Sequence, residues 1–199
     1  MKPYELSQEI EMIHVAKTVS YVLIPTSFGE VGLVWVWGES TPSIVRIFLP
    51  RKGLTTKAIV HLYFPGAVRR SHEIIDQVCV QIREYSGGAP VVFSLENLDL
   101  MGGSEFQWRV LRENRQIPRG FVSTYTRLSD KLSIPKGARA VGWALAGNPF
   151  PLIIPCHRCV RVDGTPGGYG GGLRMKVALL EMEGVAFDGR GKVSPGYLW

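Results

Sequence analysis

The two halves of the chain differ in their secondary-structure patterns, and this contrast constrains the fold most. Before position 99, short runs of β-branched and aromatic residues alternate with Gly, Pro and Ser turns, as is typical of a small antiparallel sheet. After position 104, apolar residues recur at helical spacing. The segment Asp99-Leu-Met-Gly-Gly-Ser104 lies between the two patterns and is the best linker candidate. We therefore predict an α+β chain of two domains, residues 1–103 and 104–199.

Three strands and one helix are predicted for the first domain. The strands are Val19–Pro25, Val31–Trp37 and Ser43–Leu49, each bounded by turn residues. Apolar residues at helical spacing predict a helix over Ser71–Tyr85 that covers one face of the sheet. Cys79 falls on the apolar face of this helix, so we expect a buried core residue with no chemical role.

Four helices are predicted for the second domain. One begins near Phe106, one is capped by Ser123 or Thr124, one covers Gly137–Ala146 and one covers Arg174–Met182. The second and third are short and joined by a tight turn, which is the outline of a helix-turn-helix. The third is rich in alanine and glycine, so it can approach a partner closely.

Positive charge is concentrated in the second domain. Residues 1–103 contain nine Lys and Arg against ten Asp and Glu, a net of −1, whereas residues 104–199 contain fourteen against seven, a net of +7. Such a charge suits a surface that binds nucleic acid, although a solvated basic face has the same composition. Arg139 is the only charge on the Gly137–Ala146 helix and can enter a groove or a vacated base stack; an ordinary surface arginine is the alternative.

Cysteine count and hydropathy exclude several classes of protein. Cys79, Cys156 and Cys159 are an odd number of cysteines, which does not suit a secreted disulfide framework. No apolar run approaches the roughly 20 residues of a membrane span, and the N-terminus lacks the regions of a signal peptide. We therefore expect no membrane association and a cytoplasmic protein, or a nuclear one in a eukaryote.

Cys156 is followed directly by His157 and Arg158, and a nucleophilic thiol needs such basic neighbours. Other interpretations stay open. Cys156 could be a buried structural cysteine, or it could form a C-x2-C pair with Cys159 that is either a redox dithiol or half of a zinc site. It could also belong to a thiol hydrolase in which Glu183 orients the histidine. Neighbours in an extended segment point to opposite sides, so the histidine would reach the sulfur through a turn or a water molecule.

A glycine-rich segment, Gly164–Gly172, follows the cysteine. It lacks the Gly-Lys-Ser/Thr ending of a phosphate loop, and a flexible linker is one interpretation. Tyr169 lies at its centre, which favours a segment that forms one wall of a pocket.

Five motifs keep a common order and spacing: Ala138-Arg-Ala-Val-Gly142, Gly147-Asn-Pro149, Ile154-Pro-Cys-His-Arg158, Tyr169-Gly-Gly-Gly-Leu173 and Leu179-Leu-Glu-Met-Glu-Gly184. Together they resemble the O6-alkylguanine-DNA alkyltransferases over about residues 104–187. The resemblance implies a mainly helical C-terminal domain with a winged-helix-like helix-turn-helix. Over residues 1–103 the likeness is only architectural and implies a sheet and helix of ribonuclease H-like topology.

The resemblance implies a DNA repair protein that flips O6-alkylguanine, and O4-alkylthymine, out of the duplex. By the same resemblance, the alkyl group is expected to pass irreversibly to Cys156, as in a methylated-DNA–protein-cysteine methyltransferase that acts once. Glu183, His157 and a water molecule form the relay that takes the thiol proton. Tyr125 donates to guanine N3, which makes the base a better leaving group. Asn148 ties the turn before the cysteine to the helix-turn-helix.

The implied partner is double-stranded DNA containing O6-alkylguanine, bound through its minor groove by a monomer without a cofactor or metal ion. Arg139 corresponds to the finger that replaces the extruded base. The other implied contacts form two groups. Thr124, Ala138, Ala140 and Gly142 face the DNA, while Tyr169, Gly170 and Cys159 form the base pocket.

Four positions depart from the family pattern without removing a catalytic group. Cys159 stands where an aliphatic residue is usual, Gly170 replaces a commoner serine, Phe121 takes an often acidic position, and Trp143 is bulkier than usual. A second interpretation is an alkyltransferase-like protein that binds the lesion without transfer. Such proteins carry another residue at the cysteine position, so retention of Cys156 favours the transferase.

Overall fold

The computed structural model describes residues 18–38 and 40–199. The predicted mixed α+β fold is confirmed: the described residues form a four-stranded sheet, a two-stranded sheet and six α-helices. In this part of the chain no helix combines the length and apolar character needed to cross a membrane.

The chain divides into two compact units. The first contains the described residues up to Gly103 together with a short later piece, Pro149–Ile153. The second contains Ser104–Asn148 and Ile154–Trp199. The later piece joins the first unit through its backbone, because the N–H of Ile47 donates to the carbonyl of Pro149 at 2.8 Å. Nothing in the sequence pattern indicates that Pro149–Ile153 belongs to the first unit, since its apolar residues suit the core of either unit.

The first unit contains a sheet with the strand order β3-β2-β1-β4. Strands β1 (Val19–Thr26), β2 (Gly29–Trp37) and β3 (Pro42–Phe48) form the predicted antiparallel meander. Strand β4 (Val68–Arg69) pairs with β1 in parallel, so the prediction of a purely antiparallel sheet is wrong at this edge. Two residues are too few for an alternating pattern to be recognised in the sequence.

Two helices pack against this sheet. Helix α2 (Glu73–Ser86) is the predicted one, and it buries Cys79 as expected. Helix α1 (Thr56–Tyr63) is absent from the sequence prediction, although it begins with a usual capping residue, Thr55, whose hydroxyl oxygen accepts the N–H of Ala58. Its residues Ile59 and Val60 are fully or nearly fully buried in the core of the unit.

The four helices predicted for the second half are confirmed. They are α3 (Glu105–Arg115), α4 (Tyr125–Lys131), α5 (Ala138–Ala146) and α6 (Leu173–Met182). Helices α4 and α5 pack together, and α3 packs on α5, where the side-chain amide of Gln107 donates to the carbonyl of Ala144 at 3.2 Å.

The turn between α4 and α5 requires a glycine. A Cβ atom at Gly137 would lie 2.5 Å from the side chain of Ile134 and 2.9 Å from Oγ of Ser129. Ser129 Oγ also donates to the carbonyl of Ile134, which fixes the turn against the end of α4. Any side chain larger than that of glycine would therefore collide with Ile134 and Ser129 just before α5 begins.

Candidate functional site

Two short strands bring the start of α4 next to the cysteine-histidine segment. Strand β5 (Ser123–Thr124) directly precedes α4, and β6 (Cys159–Val160) directly follows the turn that contains Cys156. The strands pair in parallel, with Ser123 opposite Cys159. Tyr125, the first residue of α4, therefore lies near both cysteines. Burial and then the charges that Cys159 and Cys156 can carry raise its pKa, so its hydroxyl stays protonated and can donate.

Cys156 lies in a turn, which corrects the extended segment expected from the sequence. Residues Cys156–Arg158 form a single 3-10 turn, closed by a bond from the N–H of Arg158 to the carbonyl of Pro155 at 3.0 Å. Leu152 is already in a turn, with a φ of 75°. Side chains do not alternate across such a turn, so adjacency does not force the thiol and the imidazole of His157 onto opposite sides.

Asn148 connects the end of α5 to the cysteine turn. Its side-chain amide nitrogen donates to the carbonyl of Ile154 at 2.9 Å and to Sγ of Cys156 at 3.2 Å. Burial raises the pKa of the Cys156 thiol, although the bond from Asn148 and the charge of Lys176 lower it. Burial has the larger effect, so the resting sulfur keeps its proton and needs a base before it can react.

His157 and Glu183 form a buried pair. Nε2 of His157 lies 3.3 Å from Oε1 of Glu183, and both side chains are fully buried. Burial lowers the pKa of His157 more than the carboxylate raises it, so the imidazole is neutral at pH 7 and can accept a proton. Burial also raises the pKa of Glu183, but hydrogen bonds from His157 and Arg158 outweigh it and hold that pKa well below its usual range.

Arg158 is a partner of Glu183 that sequence reasoning missed. Its Nε donates to Oε2 at 2.9 Å and its Nη2 to Oε1 at 2.7 Å, a two-pronged pair. A third bond runs from Nη1 to the carbonyl of Ile117 at 2.7 Å. Glu183 directly follows α6 and is 6% exposed, so it is a buried carboxylate and not a solvated charge at the helix end. The carboxylate is fixed from two sides.

Lys176 is the second residue that sequence reasoning missed. Its side chain is fully buried, and Nζ donates to the carbonyl of Cys159 at 2.6 Å and to that of Gly168 at 3.4 Å. Burial lowers its pKa to about 8. A signal was available, because Lys176 occupies the inner face of α6 together with Leu179 and Leu180. A lysine in an apolar pattern indicates a buried charge with a local purpose.

The glycine-rich segment packs on the site. Gly167 has a φ of 74°, and a Cβ atom there would lie 3.1 Å from the hydroxyl of Tyr125. The ring of Tyr169 meets the imidazole of His157 edge to face, with ring centres 6.2 Å apart. Gly170 is exposed. The segment thus forms a wall beside the tyrosine and histidine.

Cys159 is buried, and its backbone groups bond within the protein. It is fully buried, and burial raises its pKa, so its thiol is neutral. Its N–H donates to the carbonyl of Cys156, and its carbonyl accepts from Lys176. Both backbone groups are therefore engaged within the protein, and a base contact through Cys159 stays a prediction.

The exposed face of α5 carries one cation and one aromatic ring. Arg139 and Ala140 are exposed, Ala138 and Gly142 are half-buried, and Trp143 is 62% exposed one turn beyond Arg139. Arg139 takes part in no ion pair with any described residue. This face is free to meet a partner.

Thr124 lies elsewhere. It is 4% exposed, and its hydroxyl oxygen accepts the N–H of Arg127 at 3.1 Å as the cap of α4. The cap predicted from the sequence is confirmed, but this burial does not favour the predicted DNA contact. In residues 18–38 and 40–199 no group of three or more His, Cys, Asp or Glu side chains is arranged to hold a metal ion.

Comparison with known proteins identifies the family. Residues 105–185 match the family described as 6-O-methylguanine DNA methyltransferase, DNA binding domain. The methylated-DNA–protein-cysteine methyltransferase of Methanothermobacter thermautotrophicus is 35% identical over 191 residues, 96% of this chain and 100% of that protein. The structure of Mycobacterium tuberculosis O6-methylguanine methyltransferase is 32% identical with a TM-score of 0.66, covering 83% of this chain and 93% of that one. M. tuberculosis OGT in complex with DNA is 31% identical with a TM-score of 0.61, covering 83% and 92%. The chain therefore belongs to the methylated-DNA–protein-cysteine methyltransferase family.

Proposed function

We propose that this protein repairs O6-alkylguanine in duplex DNA by transferring the alkyl group to the sulfur of Cys156. The observation that carries the proposal is a buried pair: His157, which directly follows the cysteine and is neutral, contacts the ionised carboxylate of Glu183. A protonated thiol next to a neutral imidazole is the starting state for base-assisted nucleophilic attack. The same chemistry extends to O4-alkylthymine, whose alkyl carbon is also bonded to an exocyclic oxygen of the base.

At the alkyl carbon the reaction exchanges one bond for another, and the thiol proton moves to a base. His157 takes the thiol proton through a water molecule, and the sulfur of Cys156 forms a bond to the alkyl carbon. The bond from that carbon to O6 breaks, and its electron pair stays with guanine. The Tyr125 hydroxyl, held protonated by burial, donates to N3 as negative charge develops on the base. The product is a thioether without a good leaving group, so each molecule acts once.

The alkyl carbon of a stacked base offers sulfur no straight line of attack, so the lesion must leave the duplex. We propose that the small-residue face of α5 enters the minor groove and that Arg139 fills the vacated position in the stack. The exposure of Arg139 and Ala140 supports this role. Tyr169 and Gly170 would then form the wall of the base pocket.

The two domains would divide the work. We propose that residues 104–199, with a winged-helix-like arrangement, bind DNA and transfer the alkyl group as a monomer. Residues 1–103 would form a ribonuclease H-like domain. The net charge of +7 in the second half supports the assignment of DNA binding to that half.

A titration with excess substrate tests the proposed function. The protein is mixed with increasing amounts of a duplex that carries O6-methylguanine with a radioactive methyl group. We expect protein-bound label to rise and stop at one methyl group per molecule, because the thioether is permanent. Label released as methanol over many cycles would indicate a hydrolase, and binding without label transfer would indicate a lesion-binding protein.

Arg139→Ala is expected to slow repair of the duplex by about tenfold to a hundredfold, since extrusion of a base costs a few kcal/mol without a residue to fill the gap. Transfer from the free base O6-methylguanine should not change, because no extrusion is needed. Single-turnover rates on both substrates measure the difference. Arg190→Ala, an exposed arginine of the same unit, is the matched control. Equal duplex repair by Arg139→Ala and the control would remove the finger role.

Lys176→Gln is expected to slow alkylation of Cys156 by iodoacetamide by about tenfold at pH 7, the effect of one pKa unit. The ammonium favours the thiolate, and it loses its charge as the pH rises through about 8. The wild-type advantage should therefore be full below that pH and shrink above it. Lys192→Gln, a partly exposed lysine, is the control. A ratio that stays constant from pH 6 to pH 10 would contradict an electrostatic role.

A further inference from the structure

A cleft in the first unit is lined by three arginines that the proposed reaction does not use. Its volume is about 450 Å³, and it lies beside β1, the end of β4 and the side of α2 that carries Asp76, Cys79 and Arg83. Arg69, Arg70 and Arg83 supply three positive charges and Asp76 one negative charge, a net of +2. Within the described residues none of these side chains takes part in an ion pair.

The positive charge of this cleft is local. Residues 1–103 have a net charge of −1, so the cleft is not part of a generally basic surface. Guanidinium groups around one cleft repel one another, and an anion between them would remove that repulsion. The arrangement therefore favours a negatively charged occupant.

The edge of β1 adds backbone hydrogen-bonding groups to the cleft. Strand β4 pairs with β1 only at Ser20 and Tyr21, and the N–H of Arg70 donates to the carbonyl of Tyr21 at 3.1 Å. Alternate residues of a strand present their polar groups to the same edge, so the N–H of Leu23 points to this side as well. Within the described residues no strand pairs with residues 22–26 there. The cleft thus offers a backbone donor next to the arginines.

The α2 side of the cleft is formed by Asp76, Cys79 and Arg83, which share one face of the helix. Burial raises the pKa of Cys79 to about 12, and Asp76 acts in the same direction. The thiol is therefore neutral at pH 7 and does not reduce the positive charge. It forms an apolar floor between two charged side chains.

We propose that this cleft binds a phosphate group. Arginine donates paired N–H bonds that match two oxygens of a phosphate, and a net charge of +2 matches a phosphomonoester dianion. The volume falls in the range of roughly 300–1,000 Å³ that is usual for small-molecule sites. The phosphate belongs either to a free nucleotide or to the DNA backbone, and these two sources are separable by experiment.

The test compares two triple variants of the full-length protein. Arg69→Gln, Arg70→Gln and Arg83→Gln together remove the cleft arginines. Arg51→Gln, Lys52→Gln and Lys57→Gln remove three exposed cations of the same unit outside the cleft and change the net charge equally. Binding of adenosine 5′-monophosphate is measured by calorimetry. Binding of an undamaged duplex is measured from 50 to 200 mM salt.

A free-nucleotide site predicts that the cleft variant loses at least about tenfold in affinity for the monophosphate relative to the control variant. A DNA-backbone site predicts that its plot of log K against log salt becomes shallower by about 0.9 for each lost phosphate contact. Equal behaviour of the two variants on both probes would overturn the proposal. Both should still accept a methyl group from free O6-methylguanine, so this outcome is distinguishable from failure of the proposed alkyl transfer.

Discussion

Cys156→Ser is expected to abolish alkyl transfer and to leave binding of the methylated duplex within about twofold of wild type. A serine hydroxyl is a far weaker acid than a thiol, so a neutral imidazole does not ionise it to a useful extent. The substitution changes one atom of a side chain that lies in a closed turn, so the DNA-facing residues of α5 keep their positions. Label transfer and duplex affinity are measured on the same preparation.

Cys159→Ala is the control for this experiment. Cys159 is fully buried and its thiol is neutral, so we expect transfer at close to the wild-type rate in molecules that fold. A redox pair of Cys156 and Cys159 would instead require both sulfurs. Transfer by Cys156→Ser, or its loss in a folded Cys159→Ala protein, would contradict the assignment of a single acceptor.

Glu183→Gln is expected to destabilise the protein by about 3–5 kcal/mol, the usual cost of breaking a buried ion pair from one side. Arg158 keeps its charge and loses its two-pronged partner, and the imidazole of His157 loses its ionised neighbour. Transfer in the remaining folded molecules should fall by about a hundredfold, as when a general base is lost. Urea unfolding and single-turnover transfer measure the two effects.

The stability difference between wild type and Glu183→Gln depends on pH because the pKa of Glu183 is depressed in the folded protein. The carboxylate contributes stability in full above its unfolded pKa of about 4.3, and that contribution is lost as the pH falls toward the lower folded value. The difference in unfolding free energy between wild type and Glu183→Gln should therefore be constant near neutrality and shrink below about pH 4. Glu181→Gln, an exposed change on the same helix, should match wild type throughout. Equal stability of Glu183→Gln and Glu181→Gln at pH 7 would show that the contacts of Glu183 with His157 and Arg158 do not stabilise the fold.

The regular elements could be predicted where a period repeats several times. Strands β1 to β3 and helices α2, α3 and α6 have such patterns, whereas α4 was located by its cap candidates and α5 by its alanine and glycine residues. Helix α1 was missed although its cap, Thr55, was a usable signal, and β4 is defined by its pairing with a distant strand. The return of Pro149–Ile153 to the first unit is likewise a tertiary event without a local signal.

The chemical groups of the site could be named from the sequence, but most of their partners could not. Cys156 and His157 are adjacent in the chain, and Glu183 was proposed from the sequence as the partner of His157. The bond from Asn148 to the sulfur of Cys156 depends on the fold and was not predicted. The bonds of Arg158 to Glu183 and of Lys176 to the carbonyl of Cys159 join residues far apart in sequence. The sequence around each residue does not predict these long-range bonds, although the position of Lys176 on the apolar face of α6 indicated a buried charge.

Mass analysis of peptides from the wild-type protein tests directly whether Cys156 accepts the alkyl group. The protein is incubated with a duplex that carries one O6-methylguanine, then digested, and each cysteine-containing peptide is weighed. We expect one methyl group on the peptide with Cys156, none on the peptide with Cys79, fragment ions that leave Cys159 unmodified, and unmodified guanine restored in the DNA. A methyl group on another residue, or an unchanged protein beside repaired DNA, would contradict it.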